Sequence, residues 1–209
     1  MEVQDRFFEE PLGSYFLFGP RGTGKSTWLR QRYPNAATLD LLKPDLYRRY
    51  VARPERLAEL VAGQSSETVI VVDEVQRIPE LLSVVHDLIE REKGRKFVLT
   101  GSSARKIKRQ GVDLLAGRAL SKALHPFMAA ELADSFCLAD ALEIGLVPLV
   151  VDAQDPKETL RSYAALYLHE EVKMEGLVRN LGAFSRFLEA ASFSHGAVLS
   201  VAAVARECQ

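Results

Sequence analysis

The sequence predicts an α/β fold: a three-layer sandwich in which helices cover both faces of a parallel five-stranded sheet, followed by a small helical segment. Two observations carry this prediction. Short apolar runs alternate with segments of helical spacing over the first 130 residues, and such alternation favours parallel strands joined by right-handed helical crossovers. The run TVIVV at residues 68–72 is also β-branched without polar alternation, as expected of a strand covered on both faces.

Each element has its own local signal. Apolar runs predict strands at residues 14–18, 36–42, 68–72, 96–100 and 119–124. Helical spacing predicts helices at residues 25–32, 44–62 with a break at Pro54, and 79–92. Proline supports these boundaries, because the residue before it leaves helical geometry and because proline itself can open a helix.

The composition changes near residue 127. Two later segments, 128–146 and 159–191, are rich in Ala, Leu and Glu and are predicted to be helical, with residues 148–156 as their connection. We therefore divide the chain into an α/β domain at residues 1–130 and a helical region at residues 131–209.

Composition and charge exclude several classes of protein. The 209 residues are 47% hydrophobic, enough for one main core. Lys and Arg number 27 and Asp and Glu 28, so the net charge of −1 disfavours a charge-driven nucleic-acid binder. Cys137 and Cys208 lie far apart, form no CxxC pair and have no clustered histidine partners, so neither a disulfide framework nor a zinc site is indicated. The acidic amino terminus and the short longest apolar run, residues 144–151, predict a cytoplasmic protein without membrane contact.

A phosphate-binding loop is predicted between the first strand and the first helix. Residues 19–26 match the pattern G-x-x-x-x-G-K-[ST] in the strand–loop–helix context that this loop requires. The nucleotide-binding candidates are Gly19, Pro20, Arg21, Gly22, Thr23, Gly24, Lys25, Ser26 and Thr27. Lys25 is expected to reach the β- and γ-phosphates of ATP, and Ser26 to ligate Mg²⁺. The alternative is a glycine-rich turn that binds nothing.

An acidic pair follows the strand at residues 68–72. Asp73 has the position of a Walker B aspartate, which completes the Mg²⁺ shell, and Glu74 is placed to polarise a water molecule against the γ-phosphate. The alternative is that Asp73 caps the following helix and Glu74 is a solvated charge. The strand at residues 36–42 lies along the chain between the strand of the phosphate-binding loop and the strand of the acidic pair. We interpret it as the strand that separates those two strands in the sheet. That arrangement favours ATPases with a catalytic glutamate over nucleotide kinases.

Two further positions are catalytic candidates. The strand at residues 96–100 is expected beside the strand of the phosphate-binding loop. A hydroxyl at its end, Ser102 first and Thr100 second, could orient the attacking water, whereas Ser103 could equally cap a helix. Arg118 precedes the last strand and could neutralise transition-state charge in a neighbouring subunit, or could be a surface arginine.

Several motifs together carry a family resemblance. They are GPRGTGKST at 19–27, VIVVDEVQRIPELL at 69–82, FVLTGSSAR at 97–105, LLAGRAL at 114–120 and HPFMAAEL at 125–132. In this order they resemble the prokaryotic AAA-domain ATP-binding proteins that carry a C-terminal domain of unknown function. The resemblance implies a P-loop NTPase core of five parallel strands, ATP and Mg²⁺ as ligands, and nucleotide-site roles for Asp73, Glu74, the region of Ser102 and Arg118.

The chain departs from this family in two ways. Met128 stands where a hydroxyl residue is expected, and the chain is shorter than its relatives, so we expect a fragment. Residues 199–209 resemble the first helix of a helix-turn-helix without its recognition helix, so DNA contact is expected only through a missing C-terminal part.

The leading functional hypothesis is an ATPase that couples ATP binding and hydrolysis to its C-terminal module, with a homo-oligomer as its possible assembly. The alternatives are a nucleotide-gated switch or DNA-associated regulator with little turnover, and a small-molecule phosphotransferase. The pairing of Glu74 with Asp73 disfavours the phosphotransferase.

Overall fold

The computed structural model describes residues 5–102, 107, 115, 117–167, 180–193 and 200–207. Contacts divide the chain into two compact units, Met1–Pro156 and Lys157–Gln209. The first unit contains the whole sheet and the short helices that follow residue 130. The division near residue 130, drawn from composition, stays a prediction. Ser103 and Cys208 lie outside the described residues.

The sheet has five parallel strands, which confirms the predicted fold class. The strands are β1 (Tyr15–Phe18), β2 (Ala37–Asp40), β3 (Ile70–Asp73), β4 (Phe97–Gly101) and β5 (Leu120–Ala123). Their spatial order is β2-β3-β4-β1-β5. The three central strands are buried along their whole length. Because all the strands are parallel, their carboxyl ends meet at one edge of the sheet.

The order of the strands corrects one interpretation. The strand that separates β1 from β3 is β4, which pairs with both, and not β2, which lies beyond β3 at the side of the sheet. The interpretation was wrong because a strand that intervenes along the chain need not intervene in space: parallel crossovers can pass over a neighbouring position. The prediction that β4 lies beside β1 is confirmed.

The helices of the described residues lie between and after the strands along the chain. They are α1 (Lys25–Arg32), α2 (Pro44–Ala52), α3 (Arg56–Ala62), α4 (Leu81–Arg91), α5 (Ala129–Leu132), α6 (Leu138–Ile144), α7 (Pro148–Val151), α8 (Pro156–Leu166), α9 (Leu181–Ser192) and α10 (Val201–Glu207), with 3-10 turns at Val75–Arg77 and Ala133–Ser135. None of the helices in the described part of the chain is long and apolar enough to cross a membrane.

Two helical predictions need correction. The segment 128–146 is not one helix, because α5 ends at Leu132 before Ala133, whose φ of 45° lies outside helical geometry, and α6 starts anew at Leu138. The segment 148–156 is more than a connection, since Pro148 opens the short helix α7. The predicted helix at 159–191 is helical at both described ends, in α8 and α9, and residues 168–179 lie outside the described residues.

The core lies on both faces of the sheet. Side chains alternate along β1, so that Phe16 and Phe18 join the apolar cluster with α2 to α4, whereas Tyr15 and Leu17 join the cluster with Leu29 of α1. Both clusters are buried, which explains why the central strands are apolar at successive positions rather than at every second one.

An ion cluster holds the amino-terminal segment to the edge of the sheet where β1 and β4 begin. The carboxylate of Glu10 accepts hydrogen bonds from Lys96, Tyr33 and Arg32. Burial raises the pKa of Glu10, but these hydrogen bonds outweigh burial and lower that pKa to about 2. The Lys96 ammonium also donates to the carbonyl of Pro11, at 2.6 Å, and lies 5.4 Å from the ring centre of Tyr15. The cluster therefore ties residues 10 and 11 to two strands of the core.

Candidate functional site

The phosphate-binding loop runs from the carboxyl end of β1 into α1. Gly24, the residue before the helix, has a φ of 85°, a left-handed conformation that favours glycine. The helix therefore begins at Lys25, and its first backbone N–H groups, which have no partner within the helix, open onto the loop. A loop of this shape at a helix amino terminus is suited to bind anions.

Lys25 fills the inside of this loop. Its side chain is buried, and its ammonium donates to the carbonyl oxygens of Gly19, at 2.6 Å, and Pro20, at 3.0 Å. The hydroxyl of Thr23 donates to the same Pro20 carbonyl at 2.9 Å. These bonds hold a positive charge within the curve of the loop, where a bound phosphate would need it.

Ser26, Asp73 and Thr100 form a hydrogen-bonded cluster beside the loop. The Ser26 hydroxyl donates to Asp73 Oδ2 at 2.8 Å, and the Thr100 hydroxyl donates to Asp73 Oδ1. The three residues come from α1, β3 and β4, so the cluster spans the strand that separates the two motifs. A carboxylate and a hydroxyl at this position are hard oxygen donors of the kind that Mg²⁺ prefers, and the residues present therefore fit that ion.

Glu74 follows Asp73 in a strained backbone conformation. Its φ of 63° and ψ of 45° are left-handed, which costs a residue other than glycine about 1 kcal/mol or more. The surroundings enforce this conformation, since the Glu74 N–H donates to the Thr100 hydroxyl at 3.0 Å and Gln76 Nε2 donates to the Glu74 carboxylate. The Thr100 hydroxyl thus contacts both members of the acidic pair.

Of the two hydroxyl candidates at the end of β4, the structure brings Thr100 into contact with the acidic pair. Thr100 is fully buried and was the second choice from sequence. Ser102 lies half-buried just after the strand, and its role stays a prediction.

Arg118 lies at the opposite edge of the sheet from the phosphate-binding loop. It precedes β5, whose first residue, Leu120, lies beside the first residue of β1, whereas the loop follows the last. The Arg118 guanidinium donates to the carboxylate of Glu90 on α4, and this hydrogen bond lowers the pKa of Glu90. Four residues of strand, about 13 Å at about 3.3 Å each, separate Arg118 from the loop of its own chain.

Sequence reasoning missed Arg6, which lies against the phosphate-binding loop. Its guanidinium donates to the carbonyl of Thr23 at 2.8 Å, to the carbonyl of His125, and to Glu131 Oε1 at 3.1 Å. It also lies 4.9 Å from the ring centre of Phe127. The side chains of Arg6 and Glu131 are only 6% and 3% exposed, so this is a buried ion pair. No local pattern marks Arg6, because its partners lie up to 125 residues away in sequence.

The same network explains the unusual Met128. Glu131 accepts the backbone N–H of Met128 at 2.8 Å and that of Phe7 at 2.7 Å. Burial raises the pKa of Glu131, but these two N–H groups and Arg6 outweigh burial and lower it. Because the backbone of Met128 makes the contact, the position does not require a hydroxyl side chain.

Helix α7, which lies in the same compact unit as the sheet, also reaches the loop. The N–H of Leu149, in α7, donates to the carbonyl of Gly22 at 3.1 Å. A Cβ atom at Gly22 would lie 2.8 Å from the Cβ of Leu149, so the approach is close enough to require glycine. The phosphate-binding loop therefore contacts both a residue that precedes it in sequence, Arg6, and a residue that follows it, Leu149.

A comparison of the sequence with known families agrees with this geometry. The model of the AAA domain family matches residues 13–133, more than half of the chain. The chain belongs to this family. The AAA domain assignment covers all five strands, the phosphate-binding loop and the acidic pair, and it makes the chain a nucleotide-binding protein of the P-loop ATPase type.

Other comparisons add little about function. The structure of the Aeropyrum pernix ORC1 protein in complex with DNA is similar over 96% of this chain and 71% of that chain, at 15% identity and a TM-score of 0.36. A likeness this low supports no argument about function. No curated protein matches the chain.

Proposed function

We propose that this AAA domain is a cytoplasmic Mg²⁺-dependent ATPase that couples ATP binding and hydrolysis to its C-terminal region. The observation that carries the proposal is the cluster of Ser26, Asp73 and Thr100 beside the loop that holds Lys25. It combines, in one place, a phosphate-binding loop, donors suited to Mg²⁺ and a neighbouring carboxylate.

Binding rests on the loop. The backbone N–H groups at residues 21–27 and the ammonium of Lys25 neutralise phosphate charge, assisted by the positive end of the α1 dipole. Ser26 and Asp73 would hold Mg²⁺, which supplies further neutralisation of the phosphates when bound. The phosphotransferase alternative is disfavoured because a second carboxylate follows Asp73 directly.

Hydrolysis rests on Glu74. Its carboxylate is the group that accepts a proton from the attacking water, a task that requires a fixed position within hydrogen-bond reach. The backbone bond to Thr100 and the side-chain bond from Gln76 provide such fixation.

Coupling to residues beyond position 130 is supported by α7, which belongs to the same compact unit as the sheet. Leu149 contacts Gly22 through a backbone hydrogen bond, so a change in the loop on nucleotide binding acts directly on a residue beyond position 130. Such coupling requires that the loop differ in conformation between its nucleotide-free and nucleotide-bound states. The hydrogen bond between Leu149 and Gly22 can transmit that difference to α7.

The test compares wild type with Glu74→Gln in steady-state phosphate release and in ATP binding. The amide keeps the size of the carboxylate but removes its basicity, so we expect turnover to fall on the order of 10²-fold or more with unchanged affinity. Equal turnover in the two proteins would refute the role of Glu74. Binding by wild type without any turnover would favour the alternative of a nucleotide-gated switch.

Arg118 is proposed to act on the neighbouring subunit of a homo-oligomer. Its place at the far edge of the sheet makes contact with the loop of its own chain unfavourable. We expect Arg118→Ala and Lys25→Ala to be inactive alone and partly active when mixed, because some interfaces then pair an intact loop with an intact arginine. No recovery, or a chain that stays monomeric with ATP, would contradict this role.

A further inference from the structure

Gln76 is a buried amide that makes only part of its possible hydrogen bonds within the described residues. It lies in the 3-10 turn Val75–Arg77 and is 4% exposed. Its Nε2 donates to the carboxylate of Glu74. Its Oε1 is buried and has no hydrogen-bond partner in the described part of the chain. A buried amide oxygen without a partner is unfavourable, so packing alone does not explain a glutamine here.

The position of Gln76 depends on Gly101, the last residue of β4. A Cβ atom at Gly101 would lie 2.6 Å from Gln76 Oε1, which is shorter than any normal contact. Any larger residue at position 101 would therefore displace the amide. The glycine of the TGSS segment and the glutamine of the DEVQ segment, adjacent in space but 25 positions apart in sequence, thus form one unit.

We propose that Gln76 is a positioning residue that fixes the carboxylate of Glu74 for hydrolysis. The main chain of Glu74 is already held by Thr100, but its side chain can still rotate. The amide of Gln76 restricts that rotation from a buried position, and Gly101 keeps the amide in place. This inference rests on the proposed ATPase function, because it assigns Gln76 a task in that reaction.

The test is Gln76→Met, which keeps the length of the side chain and removes its hydrogen-bonding groups. We expect kcat to fall about tenfold or more, because the freed carboxylate leaves its reactive position. The Kd for ATP should change less than about twofold, because the side-chain hydrogen bond of Gln76 goes to Glu74 and not to the phosphate-binding loop. The Tm should stay the same or rise, because the variant removes the buried oxygen without a partner.

Arg77→Met is the matched control on the same turn. Arg77 donates to the carbonyl of Leu41 at 2.7 Å and stacks on Tyr47, away from Glu74. We expect this variant to lower the Tm and to leave kcat of the folded protein unchanged within about twofold. A fall in kcat for both variants would mean that any disturbance of the turn impairs turnover, and would overturn the specific role of Gln76.

Gly101→Ala provides an independent route to the same displacement. Alone, it should lower kcat as Gln76→Ala does. In the Gln76→Ala background it should lower kcat no further, since the atom that it would contact is gone. Additive losses would overturn the proposal, as would wild-type kcat in Gln76→Met. If wild type binds ATP but releases no phosphate, both the role of Gln76 and the proposed ATPase function are wrong. If wild type hydrolyses ATP and substitution of Gln76 leaves kcat unchanged, only the role of Gln76 is wrong.

Discussion

The two edges of the parallel sheet use similar residues in different ways. Each edge has a lysine surrounded by oxygen atoms. At the amino-terminal edge, Lys96 donates to Glu10 and to the carbonyl of Pro11. At the carboxyl-terminal edge, Lys25 donates to the carbonyls of Gly19 and Pro20 inside a loop that curves around it.

The two edges differ in backbone strain and in whether buried polar groups have hydrogen-bond partners. At the amino-terminal edge, the Ser14 hydroxyl accepts the N–H of Phe97 at 3.0 Å. At the carboxyl-terminal edge, Glu74 is left-handed and the buried oxygen of Gln76 has no partner within the described residues. Strain and unused hydrogen-bonding capacity concentrate where a protein reacts or binds rather than where it is merely held together. We therefore assign stability to one edge and nucleotide chemistry to the other.

The largest expected effect is that of Asp73→Asn on the Mg²⁺ requirement. Asp73 accepts from both Ser26 and Thr100, and the amide loses the charge that attracts the ion. We expect the Mg²⁺ concentration for half-maximal phosphate release to rise about 10- to 100-fold or more. Asp40→Asn is the matched control, because Asp40 is the register partner of Asp73 at the end of β2. An equal shift in both variants would contradict a specific role for Asp73.

The next effect is that of Arg6, which lies at the nucleotide edge but joins a buried ion pair. Arg6→Met leaves Glu131 buried without its cation, so unfolding free energy should fall by about 3 kcal/mol in chemical denaturation. The double variant with Glu131→Gln should recover part of this stability. ATP affinity should stay reduced in both, because the support of the Thr23 carbonyl is lost. Full recovery of affinity in the double variant would show that Arg6 affects stability alone.

The smallest effect concerns Glu10 and depends on pH. Its pKa is about 2 in the folded protein and near 4.5 when unperturbed. The cluster therefore contributes stability above about pH 4.5 and loses it as the pH falls toward 2. Glu10→Gln should lower the Tm at pH 7 and lose less stability than wild type between pH 5 and pH 3, with unchanged ATP affinity at pH 7. An equal loss of Tm in wild type and in Glu10→Gln between pH 5 and pH 3 would contradict the role of the carboxylate.

Sequence predicted the elements and motifs better than their arrangement. The five strands and the helix at Lys25 follow from local periodicity and proline positions, which are read over a few residues. The sheet order was partly wrong because the strand between β1 and β3 is decided by crossovers rather than by chain order.

Long-range contacts account for what the sequence did not reveal. Arg6 meets Glu131 across 125 positions, and Gln76 meets Gly101 through packing between a 3-10 turn and the end of β4. Neither contact leaves a periodic signal in the sequence. The motif order nevertheless placed Asp73 and Ser26, 47 positions apart, in one site, and the structure joins them by a hydrogen bond.

The most direct test of the assignment of the two edges is ATP binding by titration calorimetry, in the presence of Mg²⁺, to wild type, Lys25→Ala and Glu10→Gln. We expect wild type and Glu10→Gln to bind with the same affinity, and Lys25→Ala to show no measurable binding while remaining folded by circular dichroism. Undiminished affinity in Lys25→Ala would contradict the placement of the nucleotide site at the carboxyl-terminal edge.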